Sequence, residues 1–434
     1  MKIIIATLPI TGRANPALNI GSILAKAGHE VVFTSAPSFR SRAESFGLNF
    51  ISSSDSSEDM DVNSRFPERN KIPVGPERAL FDFKNVFGDA IPAQYRGLLS
   101  ILDTYSADVI MADNLLGGVL PFLLEGKDRP KIVGLGVNPL LFHRDDHAPF
   151  GLGLPPVDPN SPAGENYRRI AEDVNARLTN PLRSYVDGVL HKLGVGPLPL
   201  SFLDSLVALP DLFLQLGSPS VEIPRSDLPK SVHIVGVLPS FTKGVLPKEL
   251  GPFLESGKPI VAVTQGTLAN HELDQVLQPT LDALAGRDDV LVIGTTGGRP
   301  VSTLQRALPK NAMVFSYLPW DEILAHASVF VTNGGFGSVC RAVGLGLPMV
   351  VAGKGEDKAD VAMRVAHAGV GIDLQAERPT PEALRDAIDA VLEKSSSYKI
   401  RSREIAKELE QIDTPARILE LLQSTVQARH SITS

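Results

Sequence analysis

The stretch V-T-N-G-G-F-G-S-V, residues 331–339, decides how this chain is read. An apolar run from Ser328 to Thr332 stops at Asn333. Gly334, Gly335, Gly337 and Ser338 follow, and the pattern beyond them has helical spacing. That is a strand, a glycine-rich turn and a helix N-terminus. The first N–H groups of a helix lack partners within it and carry the positive end of its dipole. Glycines let a ligand come close to such a backbone. A phosphate or diphosphate suits the turn. The local pattern equally fits a βα turn that binds nothing, so the rest of the chain has to decide.

The chain has 434 residues, and domains of about 100–200 residues imply two or three of them. Its apolar fraction of 43% and charged fraction of 21% are those of a globular protein in water. A net charge of −7 and a pI of 5.8 argue against a nucleic-acid-binding surface. The single cysteine, Cys340, excludes an internal disulfide and a multi-cysteine metal site, and fits a reducing compartment. It lies in the apolar pattern after the glycine turn and reads as buried packing. Residues 2–10 are apolar but only of strand length, without the longer core and cleavage site of a signal peptide. No window approaches the ~18–20 apolar residues of a membrane span. The expectation is a cytoplasmic protein with no membrane span and no nucleic-acid partner.

Short β-rich runs alternate with longer helical patterns. Residues 3–8, 30–34, 108–112 and 131–136 read as strands. Residues 16–27 read as a helix, with apolar positions 20, 23, 24 and 27, Pro16 in its first turn and Gly28 at its exit. This β-α-β order implies a parallel sheet with right-handed crossovers. Residues 148–200 break the rhythm. There A-P-F-G-L-G-L-P-P precedes a helical stretch at 166–193, an insertion that shapes a pocket. A second alternating unit begins near Lys258, with strands at 259–264, 290–294, 312–315, 329–332 and 349–352. The predicted fold is α/β, with a Rossmann-like domain over 1–240, a second over 241–405 and a helical segment over 406–434. Two doubly wound domains facing each other bind ligands in the cleft at the carboxyl ends of their strands.

Several side chains sit at those strand ends. Arg13 lies in T-G-R-A-N-P, the connection after the first strand. It is suited to holding an anion, or to a surface ion pair, and not to acting as a base. Asp113 ends the strand D-V-I-M-A-D, where it can orient a base, accept a proton or cap a loop. His143 and His147 bracket H-R-D-D-H. The spacing needs a helix to bring both to one face, and Pro149 argues against one, so a base role is preferred to a metal site. T-Q-G-T-L, residues 264–268, is a second glycine turn that can serve the same phosphates through Gly266 and Thr267. Tyr317, in Y-L-P-W, can stack on a base or pack internally. Glu356, Asp357 and Lys358 end another strand and suit a polyhydroxylated ligand.

Taken in order, Y-L-P-W from Tyr317, N-G-G-F-G-S from Asn333, G-L-P-M-V from Gly346, E-D-K from Glu356 and G-V-G-I from Gly369 resemble the donor half of family-1 nucleotide-sugar glycosyltransferases. The likeness runs from the first strand to the Gly369 segment. The forms V-T-Q-G-T, N-G-G-F-G and A-G-x-x-E-D-K resemble a microbial subgroup that glucosylates lipids and natural products. The resemblance implies the GT-B architecture, two Rossmann-like domains about a central cleft. It also implies an inverting transfer from a UDP-sugar co-substrate, with no metal and no cofactor. On it, Tyr317 stacks on the base and the Leu318 backbone meets the base edge. Gly266, Thr267, Asn333, Gly335 and Ser338 hold the diphosphate, and Asp357 and Lys358 bind the sugar hydroxyls. Residues 143–154 line the acceptor pocket, and the C-terminal helix packs back on the N-terminal domain.

Three positions depart from the family. Its catalytic His after the first strand is Arg13. Its diphosphate His is Asn333, and its ribose-binding acid or amide is Arg341, which donates hydrogen bonds but accepts none. Lys358 also replaces a common Gln. Asp113, which orients the family's His, is expected to pair with Arg13 instead. A substitute base then comes from Asp113, His143 or His147, unless the acceptor is already anionic and is drawn by Arg13. The sequence therefore implies a transferase moving a sugar, glucose by default, to a small hydrophobic natural-product or lipid acceptor. The alternatives are a GT-B protein repurposed for a cyclisation or condensation, or an auxiliary subunit. A homodimer is left open.

Overall fold

Strand β1 (Lys2–Ala6) has four of its five residues buried. Successive side chains of a strand point to opposite faces. Ile3 and Ile5 accordingly enter one core and Ile4 and Ala6 another. A strand apolar on both faces belongs in the middle of a sheet covered by helices on both sides. A computed structural model describes residues 1–52, 65–126, 129–240, 244–266, 270 and 272–430, and places β1 in that position.

The first sheet adds β2 (Glu30–Thr34), β3 (Asn49–Phe50), β4 (Val109–Asp113), β5 (Lys131–Gly136), β6 (Leu212–Leu216) and β7 (Val232–Gly236), in the order β3-β2-β1-β4-β5-β6-β7. The second sheet contains β8 (Ile260–Thr264), β9 (Leu291–Thr295), β10 (Ala312–Phe315), β11 (Val329–Thr332), β12 (Met349–Val351) and β13 (Gly371–Asp373), in the order β10-β9-β8-β11-β12-β13. Neighbouring strands pair in parallel throughout both. Ile260 and Ala262 face one core of the second sheet, Val261 and Val263 the other.

Each sheet reverses its strand order once, between β1 and β4 and between β8 and β11. The chain leaves the two neighbours in opposite directions there, which opens a crevice at their carboxyl ends. Arg13 and Asp113 flank the first crevice. Gly266 and Asn333 flank the second.

Three local expectations are corrected. The turn predicted at 11–16 is the start of helix Thr11–Lys26. Ile10 is extended, and its carbonyl accepts the Arg13 and Ala14 N–H groups, both at 2.9 Å, so the helix opens five residues before Pro16. Strands β3, β6, β7 and β13 were not anticipated. Two are only two or three residues long, and β6 and β7 carry Gln215 and His233 within their apolar runs. The domain boundary predicted at 405/406 falls inside helix Ser397–Glu410, whose Ile405 and Leu409 belong to a second-domain core. The chain then turns, and helix Thr414–His430 returns to the first domain. Its Ile418 and Leu422 are fully buried in the core under β1, contributing about 3–6 kcal/mol together.

Candidate functional site

Arg13 occupies the first turn of its helix and reaches β4. Its Nη1 donates to Asp113 Oδ1 at 2.5 Å and to Asn114 Oδ1 at 3.4 Å. Asp113 Oδ1 also accepts the Leu115 N–H at 2.9 Å. Its Oδ2 is buried with no hydrogen-bond partner among the described residues. The arrangement makes a neutral ion pair at the first switch point. Guanidinium stays protonated at any working pH, so this pair cannot take a proton through Arg13.

Beside it, a cavity of about 230 Å³ opens at the ends of β1 and β2. Leu8, Val86, Leu98 and Ile101 supply apolar wall, and Thr7, Thr34 and Asp89 supply polar groups. The buried Thr7 and Thr34 hydroxyls have no partner among the described residues. An apolar cavity with a few polar groups is the usual form of a small-molecule site.

Across the cleft, β11 ends at Thr332 and helix Phe336–Gly344 starts after Gly335. Asn333 is buried and its amide donates to the Gln265 carbonyl at 2.8 Å, tying the turn to the end of β8. Gly334 has φ +93, a backbone that favours glycine. A Cβ on Gly335 or Gly337 would meet nothing within 4 Å. The backbone there is bare toward open space, as a diphosphate requires. Ser338 is in the first helical turn, partly buried. Gly266, φ +73, faces open space in the same way. Thr267 lies outside the described residues. Tyr317 is 68% exposed after β10, free to stack on a base, while Leu318 is buried. Arg341 forms an ion pair with Asp321 at 3.2 Å, so its charge is already matched by a carboxylate from the neighbouring helix.

Glu356, Asp357 and Lys358 lead into helix Lys358–His367. Lys358 is buried, and its ammonium bonds the Glu356 carboxylate. Desolvation raises the Glu356 carboxyl, but Lys358 outweighs it, with Arg69 and Arg13 adding, and holds it below its usual value. Desolvation pushes the Asp357 carboxyl up, helped by the Glu356 charge and opposed by Lys358 and, less, by Arg13.

His143 is elsewhere occupied. It is exposed, its Nε2 is 2.6 Å from Asp227 Oδ2, and its Nδ1 is 3.3 Å from Asp204 Oδ1. Desolvation lowers its pKa, but the two carboxylates prevail and raise it. His147 is exposed with φ +64. Among the described residues, no group of three or more His, Cys, Asp or Glu is placed to hold a metal ion. No helix among them is long and apolar enough to cross a membrane. Cys340 is partly exposed in a small crevice between the domains, beside Phe336 and Val339, and burial pushes its thiol up to about 12.

Sequence reasoning missed Asp321, Glu222, Asp360 and Arg364. The available signal was faint: charged residues at buried helical positions, as Asp360 and Arg364 stand among Val361, Ala362 and Val365.

Two facing Rossmann-like domains, each with its crevice turned to a common cleft, define the GT-B architecture. Residues 278–424 match the model of the erythromycin biosynthesis protein CIII-like C-terminal domain. The chain is 33% identical over 432 residues to UDP-glycosyltransferase 2 of Phaeomoniella chlamydospora, covering 95% of this chain and 92% of the relative. It is 31% identical over 433 residues to 4'-demethylrebeccamycin synthase of Lentzea aerocolonigenes, covering 98% and 99%. The glycotransferase of kitacinnamycin shares the fold, with a TM-score of 0.75 at 20% identity over 98% of this chain and 99% of that one. The chain belongs to the UDP-glycosyltransferase family of GT-B glycosyltransferases.

Proposed function

We propose that this enzyme transfers a sugar, with inversion, from a UDP-sugar to a small hydrophobic natural-product or lipid acceptor in the cytoplasm. Glucose is the default sugar, and no metal or cofactor takes part. The observation that carries the donor half is the bare backbone at Gly335 and Gly337, open at a helix N-terminus within a family of UDP-sugar enzymes. Tyr317 receives the base, Asn333, Gly335 and Ser338 with Gly266 and Thr267 receive the diphosphate, and Asp357 and Lys358 orient the sugar. Asp321, paired with Arg341, supplies the acceptor oxygen for a ribose hydroxyl that the guanidinium cannot offer.

The acceptor half rests on the Arg13–Asp113 pair. A general base is worth about 10²–10⁴-fold. An acceptor carrying its own negative charge, a carboxylate or an acidic phenol, does without one. Its oxygen forms the bond to the anomeric carbon, the bond to the UDP oxygen breaks, and no proton moves. Arg13 binds Asp113 and Asn114 through Nη1, and its other guanidinium N–H groups donate to that anion. The same pair favours a second reading, a GT-B protein turned to a non-glycosyl reaction or to an auxiliary role.

UDP binding separates the two. UDP at 100 times its dissociation constant stabilises the fold by about 2.7 kcal/mol, read as a rise in melting temperature. No shift with millimolar UDP or dTDP removes the transferase reading. Where UDP binds, Arg13→His is expected to raise transfer to neutral phenols or alcohols by about 10²–10⁴-fold. Unchanged rates would show that more than the base is missing.

A further inference from the structure

Helix Lys358–His367, which starts at the sugar-side residues, also holds the opposite domain. Asp360, 3% exposed, accepts two backbone N–H groups from the loop after β5: Gly151 to Oδ2 at 2.5 Å and Gly153 to Oδ1 at 3.1 Å. One turn on, buried Arg364 donates from Nε and Nη2 to Glu222 Oε1 of the first domain, at 3.0 and 2.6 Å. Its Nη1 donates to the Asp360 carbonyl at 3.1 Å. Glu222 in turn accepts the Leu140 N–H and the Arg225 guanidinium, and Arg225 holds the Leu140 and Phe142 carbonyls. The loop is braced within itself as well. Arg144 Nη1 donates to the Leu154 carbonyl at 2.7 Å, and Asp146 accepts the Val157 N–H at 3.2 Å. These bonds tie the stem of the loop to its far end. At Gly153, φ is +61 and a Cβ would lie 2.7 Å from the Ala359 carbonyl oxygen, so the close seat on the helix requires glycine.

We infer that Asp360 and Arg364 are positioning residues for the transfer. Asp360 seats the first-domain loop, residues 148–157, on the donor-side helix, and Arg364 ties the same helix to Glu222, which accepts the Leu140 N–H at the loop's stem. Together they couple nucleotide binding at the glycine turn, whose Gly334 backs onto Lys358 at the start of that helix, to the ordering of the loop. The coupling rests on the donor reading above; the seat itself does not. A buried carboxylate that loses both N–H partners is left uncompensated, so the loop is either seated or released, with little between. Donor and loop then bias one two-state element, which is what coupling between sites requires.

Hydrogen exchange of residues 148–157 tests this, with UDP as the probe and its binding followed in parallel by calorimetry. Without ligand, Asp360→Ala and Gly153→Ala each speed exchange in the loop about tenfold, while the double variant goes no further than either single one. Asp360→Asn, which keeps the shape but has only one good acceptor oxygen, falls between. UDP slows exchange in the wild-type loop about tenfold and leaves it unchanged in both single variants. Equal exchange in wild type and variants without ligand overturns the seat. Equal protection by UDP in wild type and variants overturns the coupling. Failure of UDP to bind the wild type removes the donor reading and the coupling together, and the ligand-free comparison still reports on the seat.

Discussion

At Arg13 a single guanidinium fixes what its neighbours can do. Asp113 is buried at the end of β4, where a carboxylate needs a partner, and Arg13 meets that need at 2.5 Å. His143 shows the reverse relation between charge and place. Its ring stands between Asp204 and Asp227, which favour the protonated form and lift its pKa above the ordinary 6.5. A raised folded-state pKa gives stability that is complete below about pH 6.5 and is lost as pH rises through the folded value. Wild type is therefore expected to melt above His143→Asn at pH 5.5, with the two curves converging by about pH 8.5. A gap that does not change with pH would show that His143 contributes packing and not charge. The identities of Arg13, Asp113 and His143 were legible in sequence. That His143 is spent on two distant carboxylates was not, since Asp204 and Asp227 are 61 and 84 positions away.

At the scale of elements, the glycine turn after β11 combines two kinds of glycine. Gly334 is there for its backbone, at φ +93. Gly335 has ordinary angles, φ −61 and ψ 118, and open space around it. Gly335→Ala is therefore expected to leave stability within about 0.5 kcal/mol of wild type. It should weaken UDP by about tenfold or more, the worth of a charged hydrogen bond lost at the backbone. Calorimetry and a melting curve on the same sample read both. Unaltered UDP affinity would place the diphosphate elsewhere. The strand–turn–helix order was plain from the abrupt change of hydrophobic period at Asn333. Helix Thr11–Lys26 was placed late because no residue at its start signals a cap; the Ile10 backbone alone opens it.

Across the whole molecule, the two domains meet through buried charge as well as apolar surface. Arg364 and Glu222 are both buried, and Arg225 also contacts Glu222. The paired guanidinium groups hold the Glu222 carboxyl below its usual value against the opposing effect of burial. Arg364→Ala leaves Glu222 only Arg225 and is expected to cost about 3 kcal/mol, measured as a lowered urea midpoint. A loss near zero would mean that water replaces the arginine at the interface. The sequence by itself determined the two doubly wound halves, because hydrophobic period and glycine placement are local properties of the chain, and the resemblance of its ordered motifs pointed to the family. Tertiary structure alone decided which buried groups hold the two domains to each other. Asp360 with the Gly151 and Gly153 N–H groups, and Arg364 with Glu222, join residues up to 209 positions apart, and no local pattern encodes a pairing over that separation.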